Sequence, residues 1–483
     1  MAERLTALDA TFLELEEADQ SAHMHIGGVM VLEPRPDGHA PPIELIRRDV
    51  EERLPDLPRY LERLSQPRTG GLQWPSWEPD PDFHVDRHVF AAGLPGAAGI
   101  EELREWAGEY YSIRLDRTRP LWEIGMIELG DGRWALVTKT HHCMIDGVGS
   151  VDMAQTLLDT QPERERRAAP SGNGAPEQPG EAPGGSLGQI VTRAARPALS
   201  VGHVAVRAAQ SGLHAAESAV GTATHPDRAR DALHHSRALA ELIVRDELVA
   251  APRTSLNEPI GAKRRLAVLE ADLDELKEIK RKLGGTVNDV VLAASAGGFR
   301  RLLEHRGEEL PPDGLRAMVP MNVRTAGERL AMGNRISSLF VHLPVIAEDP
   351  AQRYELQLEE AETLKAGSQA TGSTTLLNLS NHMPPVLHSF VARSLFATRL
   401  FNVTITNVPG PQIPLYYFGS KVEEIWPLVP IAAEHAVGLA VFSYDGKLFF
   451  CLNVCRDTCR DVDVLAEGIA NSLAELRELA AQA

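Results

Sequence analysis

Arg133-Trp134-Ala135-Leu136-Val137-Thr138-Lys139-Thr140, followed at once by His141-His142-Cys143-Met144-Ile145-Asp146-Gly147, is the stretch from which the rest of the chain can be read. The first eight residues are apolar and β-branched and stand behind the turn Gly130-Asp131-Gly132, as a buried strand does. Gly147 and Gly149 break that strand, and Val151, Ala154, Leu157 and Leu158 then recur at helical spacing. The histidines therefore sit at a strand-to-helix corner, which presents side chains to a cleft. Side chains of a strand alternate with period two, so His142 shares a face with Trp134, Leu136, Thr138 and Thr140, whereas His141 goes with Ala135, Val137 and Lys139. The two histidines do different jobs.

The residues leave several uses for this corner. A histidine can be a satisfied core residue, with Asp146 serving as a turn or cap. An imidazole titrating near ~6.5 also suits proton transfer from a hydroxyl at neutral pH, with Asp146 orienting the ring or holding the loop. His-His-x3-Asp offers metal-type ligands, but adjacent strand histidines diverge and no Glu follows at the zinc-protease spacing, so no metal is expected. A His-flanked Cys143 raises the question of a thiol nucleophile.

The chain of 483 residues exceeds what one core normally holds, so two domains are expected. Its 43% hydrophobic and 24% charged content is ordinary for a globular protein, and a net charge of −18 opposes a nucleic-acid partner. Cys143, Cys451, Cys455 and Cys459 imply no disulfide framework, and Cys451 and Cys455 read as buried packing in the strand-like run 447–455. No apolar stretch follows the N-terminal Met1, and the longest apolar candidate, Ile425 to Val441, is interrupted by prolines, Glu434 and His435. Neither a secretory signal nor a membrane span is expected.

Between Pro170 and Gly185 stand four prolines and five glycines without apolar periodicity. That composition marks a linker and sets the expected organisation: an N-terminal domain over 1–165, a flexible Pro/Gly linker over 166–186, a helical connecting segment over 187–250 and a C-terminal domain over 251–483. From Leu187 to Ala215 the chain carries Arg193, Arg196 and Arg207 and no acidic residue. A basic amphipathic helix kinked at Pro197 would suit an anionic membrane or lipid-droplet surface, and helices packed between the domains would read the same way.

Beyond residue 250, Arg265 to Glu270 is strand-like, and Leu273 to Leu283 is a charged helix ended by Gly284-Gly285. Thr286 and Asp289 have the form of a capping box, ahead of a buried stripe of Val287, Val290, Val291, Ala294 and Leu302. Capping accounts for Asp289. The amide of Asn288 is not needed for it, and beside a helix N-terminus it can donate to developing negative charge.

His141 to Gly147 resembles the HHxxxDG signature of the CoA-dependent acyltransferase superfamily. Leu8-Asp9-Ala10-Thr11-Phe12, His25-Ile26-Gly27-Gly28, Leu115 to Trp122, Thr286 to Val290, Val319 to Arg324 and Asn407-Val408-Pro409-Gly410-Pro411 resemble blocks of one branch, the bacterial wax ester synthase/diacylglycerol acyltransferase family. The likeness spans nearly the whole chain apart from the stretch around 165 to 185. One departure is Ser150, which follows Asp146-Gly147 one position later than in the family's DGxS, so no role is carried over for that serine.

The resemblance implies an α/β fold of the α+β sandwich type: a pseudo-dimer of two chloramphenicol-acetyltransferase-like domains with a substrate tunnel at their interface. It implies His142 as general base and Asn288 as catalytic aid, with His141, Asp146, Gly147 and Asp289 in support. Pro120, Leu121 and Trp122 would line the tunnel, although Trp122 by itself reads more readily as core. Arg324 would pair with Asp146, with Arg117 as competitor, and Pro409-Gly410-Pro411 would lie in a crossover between domains.

The implied reaction moves a long-chain acyl group from acyl-CoA to the hydroxyl of diacylglycerol or a fatty alcohol, without a cofactor. No Gly-x-Ser-x-Gly elbow is present, which agrees with direct transfer and no acyl-enzyme. The alternatives are a carrier-protein-dependent condensation or polyketide-alcohol acyltransferase, and a non-catalytic lipid-droplet-binding protein. A substrate this apolar has to be collected from a surface, so a cytoplasmic protein peripheral to the inner membrane or to lipid droplets is expected.

Overall fold

A computed structural model of the protein describes residues 4–65, 74–145, 156–162, 250–322, 336–366 and 400–483. Apart from short 3-10 turns, its elements in chain order are α1 (Ala7–Ala18), β1 (His25–Leu32), α2 (Ile43–Arg53), β2 (Glu62–Leu64), β3 (Trp77–Pro79), β4 (Val89–Ala92), α3 (Ile100–Tyr111), β5 (Trp122–Glu128) and β6 (Trp134–His141). There follow β7 (Arg264–Asp272), α4 (Leu273–Leu283), α5 (Val287–His305), β8 (Leu315–Asn322), β9 (Ile336–Leu343), α6 (Pro350–Ala366), β10 (Val403–Pro409), β11 (Tyr416–Tyr417), β12 (Ser420–Leu428), β13 (Val437–Tyr444), β14 (Lys447–Cys455) and α7 (Val462–Gln482).

The expected strand before the histidine pair is β6, and all of its residues are buried. Its entry turn is closed by the Asp131 carboxylate, which accepts the Arg133 N–H at 3.1 Å, with Gly132 at φ +87°. The period-two alternation is visible in the packing: Trp134 and Leu136 enter one apolar cluster, Ala135 and Val137 another. The charged helix expected at 273–283 is α4, stopped by Gly284 and Gly285 at φ +88° and +79°.

The strands form two six-stranded sheets, ordered β11-β12-β1-β6-β5-β4 and β7-β14-β13-β10-β8-β9. In the first, only β4 and β5 run parallel; in the second, β10 runs parallel to both β13 and β8, and the remaining pairs are antiparallel. β13 and β14 form a hairpin through Asp445 and Gly446, both at positive φ as a type I′ turn requires. Helices α5 and α7 pack closely, because a Cβ on Gly298 would come within 2.4 Å of Ile469.

The first sheet is not built from the N-terminal half alone. β11 and β12 come from the second half of the chain; β12 pairs with the outer edge of β1, Gly27 standing opposite Leu428, and β11 extends the sheet beyond it. The Trp134 indole N–H reaches across to Ser420 Oγ at 3.0 Å. The edge of β1 is thus covered by a segment distant in sequence. Between the sheets α3 joins the two halves: Val29, Leu103 and Ala107 share a core with Leu266, Trp426 and Cys451, and Ser112 Oγ accepts the Arg264 N–H at 2.8 Å.

The linker over 166–186 and the connecting segment over 187–250, all but its last residue, lie outside the described residues. All four cysteines are buried and free. Among the described residues no helix is long and apolar enough to cross a membrane.

Candidate active site

The site is assembled on α1. A capping box starts this helix: Thr6 Oγ1 accepts the Asp9 N–H at 3.1 Å and donates to the Asp9 carboxylate at 2.7 Å. That fixed start sets the helical phase, and Phe12 and Glu16, four residues apart, face the same way. Phe12 lies flat on the imidazole of His142, with ring centroids 4.0 Å apart and planes 5° from parallel. Glu16 meets His141, whose Nε2 donates to Glu16 Oε2 at 3.1 Å.

The backbone of the pair is held from both sides. His141 N–H donates to Leu121 O at 2.9 Å, and His142 N–H donates to Met24 O at 2.8 Å. Met24 belongs to the core of the second sheet, and Phe12 touches that core and the first one alike. His142 therefore sits at the seam between the two halves. It is largely buried, with 9% of its surface exposed.

His141 is a structural partner. Its Nδ1 accepts the Cys143 N–H at 3.1 Å, so the ring carries its proton on Nε2, toward Glu16. Burial pushes its pKa below the ordinary histidine value, and Glu16 offsets only part of that fall. His25 stands opposite His141 in the β1–β6 register, with Nε2 accepting the Leu115 N–H at 3.4 Å. Burial, helped by Lys139 and His141, holds it neutral as well.

Glu16 is the carboxylate on which His141, Arg114 and Arg117 converge, with Arg117 also reaching Glu17. Arg117 Nη2 donates to its Oε2 at 2.7 Å and Arg114 Nε to its Oε1 at 3.2 Å. Burial alone would raise the carboxyl, but His141, Arg114 and Arg117 outweigh it and hold Glu16 far below the usual carboxylate range. Arg117, considered above as a partner for Asp146, is engaged with Glu16 and Glu17.

Across the seam, α5 begins with the expected capping box: Asp289 Oδ2 accepts both the Thr286 N–H and its hydroxyl at 2.8 Å. Asn288 projects beside it, and its Oδ1 accepts from Asn407 Nδ2 at 3.4 Å. This bond joins two sequence blocks, leaves the Asn288 NH2 outside the pair, and gives Asn407 a place no sequence reading had assigned.

Leu121 and Trp122 are in the packed interior, 0% and 2% exposed, and Pro120 is buried beside them. The Trp122 indole donates to Tyr60 O at 2.7 Å and its ring stacks on His88. The role visible for this block is support, through the Leu121 carbonyl that holds His141. Asp146, Gly147 and Arg324 lie outside the described residues. Cys143 is 1% exposed and burial raises its thiol pKa well above the ordinary value, which is unsuited to a nucleophile.

Sequence reasoning passed over Phe12, Glu16 and Asn407. For the first two a signal was present: Thr6-x-x-Asp9 fixes the helix start, and a carboxylate four residues beyond a phenylalanine, between Leu13, Leu15 and Ala18, is out of place on a helix that buries its leucines.

Two α/β halves, the second lending strands to the sheet of the first, with a histidine at their seam, define a two-domain acyltransferase fold of the chloramphenicol-acetyltransferase and condensation-domain type. The model of the wax ester synthase/diacylglycerol acyltransferase catalytic domain matches residues 5–291, and that of the family's C-terminal domain matches 332–477. The chain belongs to this family of acyltransferases. It is 32% identical over 488 aligned positions to a probable diacylglycerol O-acyltransferase of Mycobacterium tuberculosis, covering 98% of this chain and 95% of the relative. The wax ester synthase/diacylglycerol acyltransferase of Marinobacter aquaeolei VT8 superposes with a TM-score of 0.66 at 25% identity, covering 99% of this chain and all of that one. The first condensation domain of the CDA synthetase shares the fold, with a TM-score of 0.56 at 16% identity over 99% of this chain and 96% of that one.

Proposed function

We propose that the protein transfers a long-chain acyl group from acyl-CoA to the hydroxyl of diacylglycerol, giving triacylglycerol, or of a long-chain fatty alcohol, giving a wax ester. His142 is the general base. The observation that carries this reading is the placement of His142, gripped by Met24 and stacked on Phe12 where both cores meet, so that substrates reaching the seam meet one oriented imidazole.

The imidazole takes the proton of the bound alcohol as its oxygen attacks the thioester carbonyl. The carbonyl electrons move onto oxygen, and the Asn288 amide, at the α5 N-terminus, donates a hydrogen bond to that oxyanion. Collapse expels the CoA thiolate, whose thiol has a pKa near ~8.5 and which leaves far more readily than an alkoxide. The imidazolium returns its proton to sulfur, and no acyl-enzyme forms. Asp289 supports the helix start, and Asp146 with Gly147 anchors the motif loop. The protein works peripherally, at a membrane or droplet surface where both lipids are found.

The test is incubation of purified protein with radiolabelled palmitoyl-CoA and either diacylglycerol or hexadecanol, with products separated by thin-layer chromatography. Labelled ester from at least one acceptor is expected, and its loss in His142→Ala. Ester from neither acceptor would refute the assignment, and a fully active His142→Ala protein would refute the base.

A further inference from the structure

The connection between α3 and β5, which carries Arg114 and Arg117, reaches the histidine pair through one buried group. Glu16 is 1% exposed, yet it receives donors from two segments: His141 at the end of β6, and Arg114 and Arg117 from the connection. A buried carboxylate is costly unless its lone pairs are met, and here both of its oxygens accept hydrogen bonds. Arg117 also donates to Leu13 O at 3.3 Å, which ties the same guanidinium to the backbone of α1.

The consequence falls on His141. With Nε2–H committed to Glu16, Nδ1 is an acceptor, and it takes the amide of Cys143. The His141 ring thus bridges residues 141 and 143, and the residue it bridges is His142. Had the proton been on Nδ1, that nitrogen would face the Cys143 N–H donor to donor and the bridge would open.

We infer that Glu16 is a positioning residue for acyl transfer: with Arg117 it locks His141 as the Nε2-protonated tautomer, and that ring clips the backbone on either side of His142. The inference rests on the reading of His142 as the base. Glu16 touches no reacting atom, and it acts only through His141.

This dependence can be measured with a double-mutant cycle. In His141→Asn the carboxamide oxygen stands near the place of Nδ1 and keeps an acceptor for the Cys143 amide, but nothing reaches Glu16. Glu16→Leu alone should lower kcat about tenfold or more, with KM for palmitoyl-CoA nearly unchanged, and in the His141→Asn background the same change should cost about twofold or less. Glu16→Gln and Arg117→Met, which disturb the core less, are carried through the same cycle so that a poorly folding Glu16→Leu leaves the question answerable. Melting temperatures follow each variant.

Equal losses of kcat in both backgrounds would overturn the inference, as would a Glu16→Leu protein with wild-type kcat. His142→Ala run alongside separates the two readings. An inactive His142→Ala protein with an additive cycle removes only the role of Glu16, whereas a fully active one removes the base and the positioning role with it.

Discussion

The phenyl ring of Phe12 and the imidazole of His142 lie parallel at 4.0 Å, so a residue from the first helix of the chain, outside the histidine motif, helps orient the proposed base. Stacked aromatic pairs contribute about 0.5–1.5 kcal/mol beyond their buried area. Phe12→Leu keeps apolar bulk and removes the stack, so kcat should fall by up to about tenfold while stability drops by only about 1 kcal/mol. Steady-state kinetics and urea denaturation of the same preparation check both numbers.

Adjacent residues at the start of α5 should behave differently. Asp289 and Thr286 close the helix cap, so Thr286→Ala is expected to cost about 1 kcal/mol of stability. Asn288 lies outside the cap, and Asn288→Ala should lower kcat by about 10²–10³ with little change in melting temperature if its amide serves the oxyanion. Equal effects on rate and melting at both positions would leave Asn288 a structural residue.

The thiols should be silent. Cys143 is 1% exposed, Cys451, Cys455 and Cys459 are 0% exposed, and burial pushes the thiols of Cys451 and Cys459 up to about 12. Native protein should therefore react with a thiol reagent only after denaturant is added. Cys143→Ala should keep kcat within about threefold, since the chemistry assigned to His142 needs no thiolate. Loss of activity on alkylation of the folded protein would contradict this.

Acid should destabilise the protein before its carboxylates titrate. His435 is buried against Phe401, and burial pushes its pKa from 6.5 down to about 4. Between those values the unfolded chain binds a proton that the folded one refuses, so stability present above 6.5 declines as pH falls and the loss is complete near 4. At about 1.4 kcal/mol per pKa unit the whole effect is on the order of 3 kcal/mol. The carboxylate of Glu16, held low by His141, Arg114 and Arg117, adds a loss that begins only below its ordinary value of 4.5. His435→Phe should flatten the upper part of this decline, as measured by denaturation at about pH 7 and about pH 4.5.

Much of the local structure was legible because it depends on near neighbours. β6, α4 with its glycine stop and the Thr286–Asp289 cap each follow from periodicity or short-range hydrogen bonding, and each is found where expected. The two domains were legible only as linear segments on either side of a linker. No local rule states that Tyr416–Leu428 leaves the second half to cover the edge of β1, since that pairing spans nearly the whole chain. In the PLW block Leu121 and Trp122 are in the interior with the Leu121 carbonyl on His141, a contact that no spacing within the block states.

By itself the sequence determined that a histidine pair stands at a strand end with its rings on opposite faces, because alternation along a strand is a property of the backbone. It also supplied the blocks that identify an acyltransferase family. Tertiary structure alone decided what each ring meets. Glu16 on His141, Phe12 on His142 and Asn407 on Asn288 join residues 119 to 130 positions apart. Such contacts are fixed by how helices and sheets dock, and docking depends on the packing of whole surfaces rather than on any spacing within one segment.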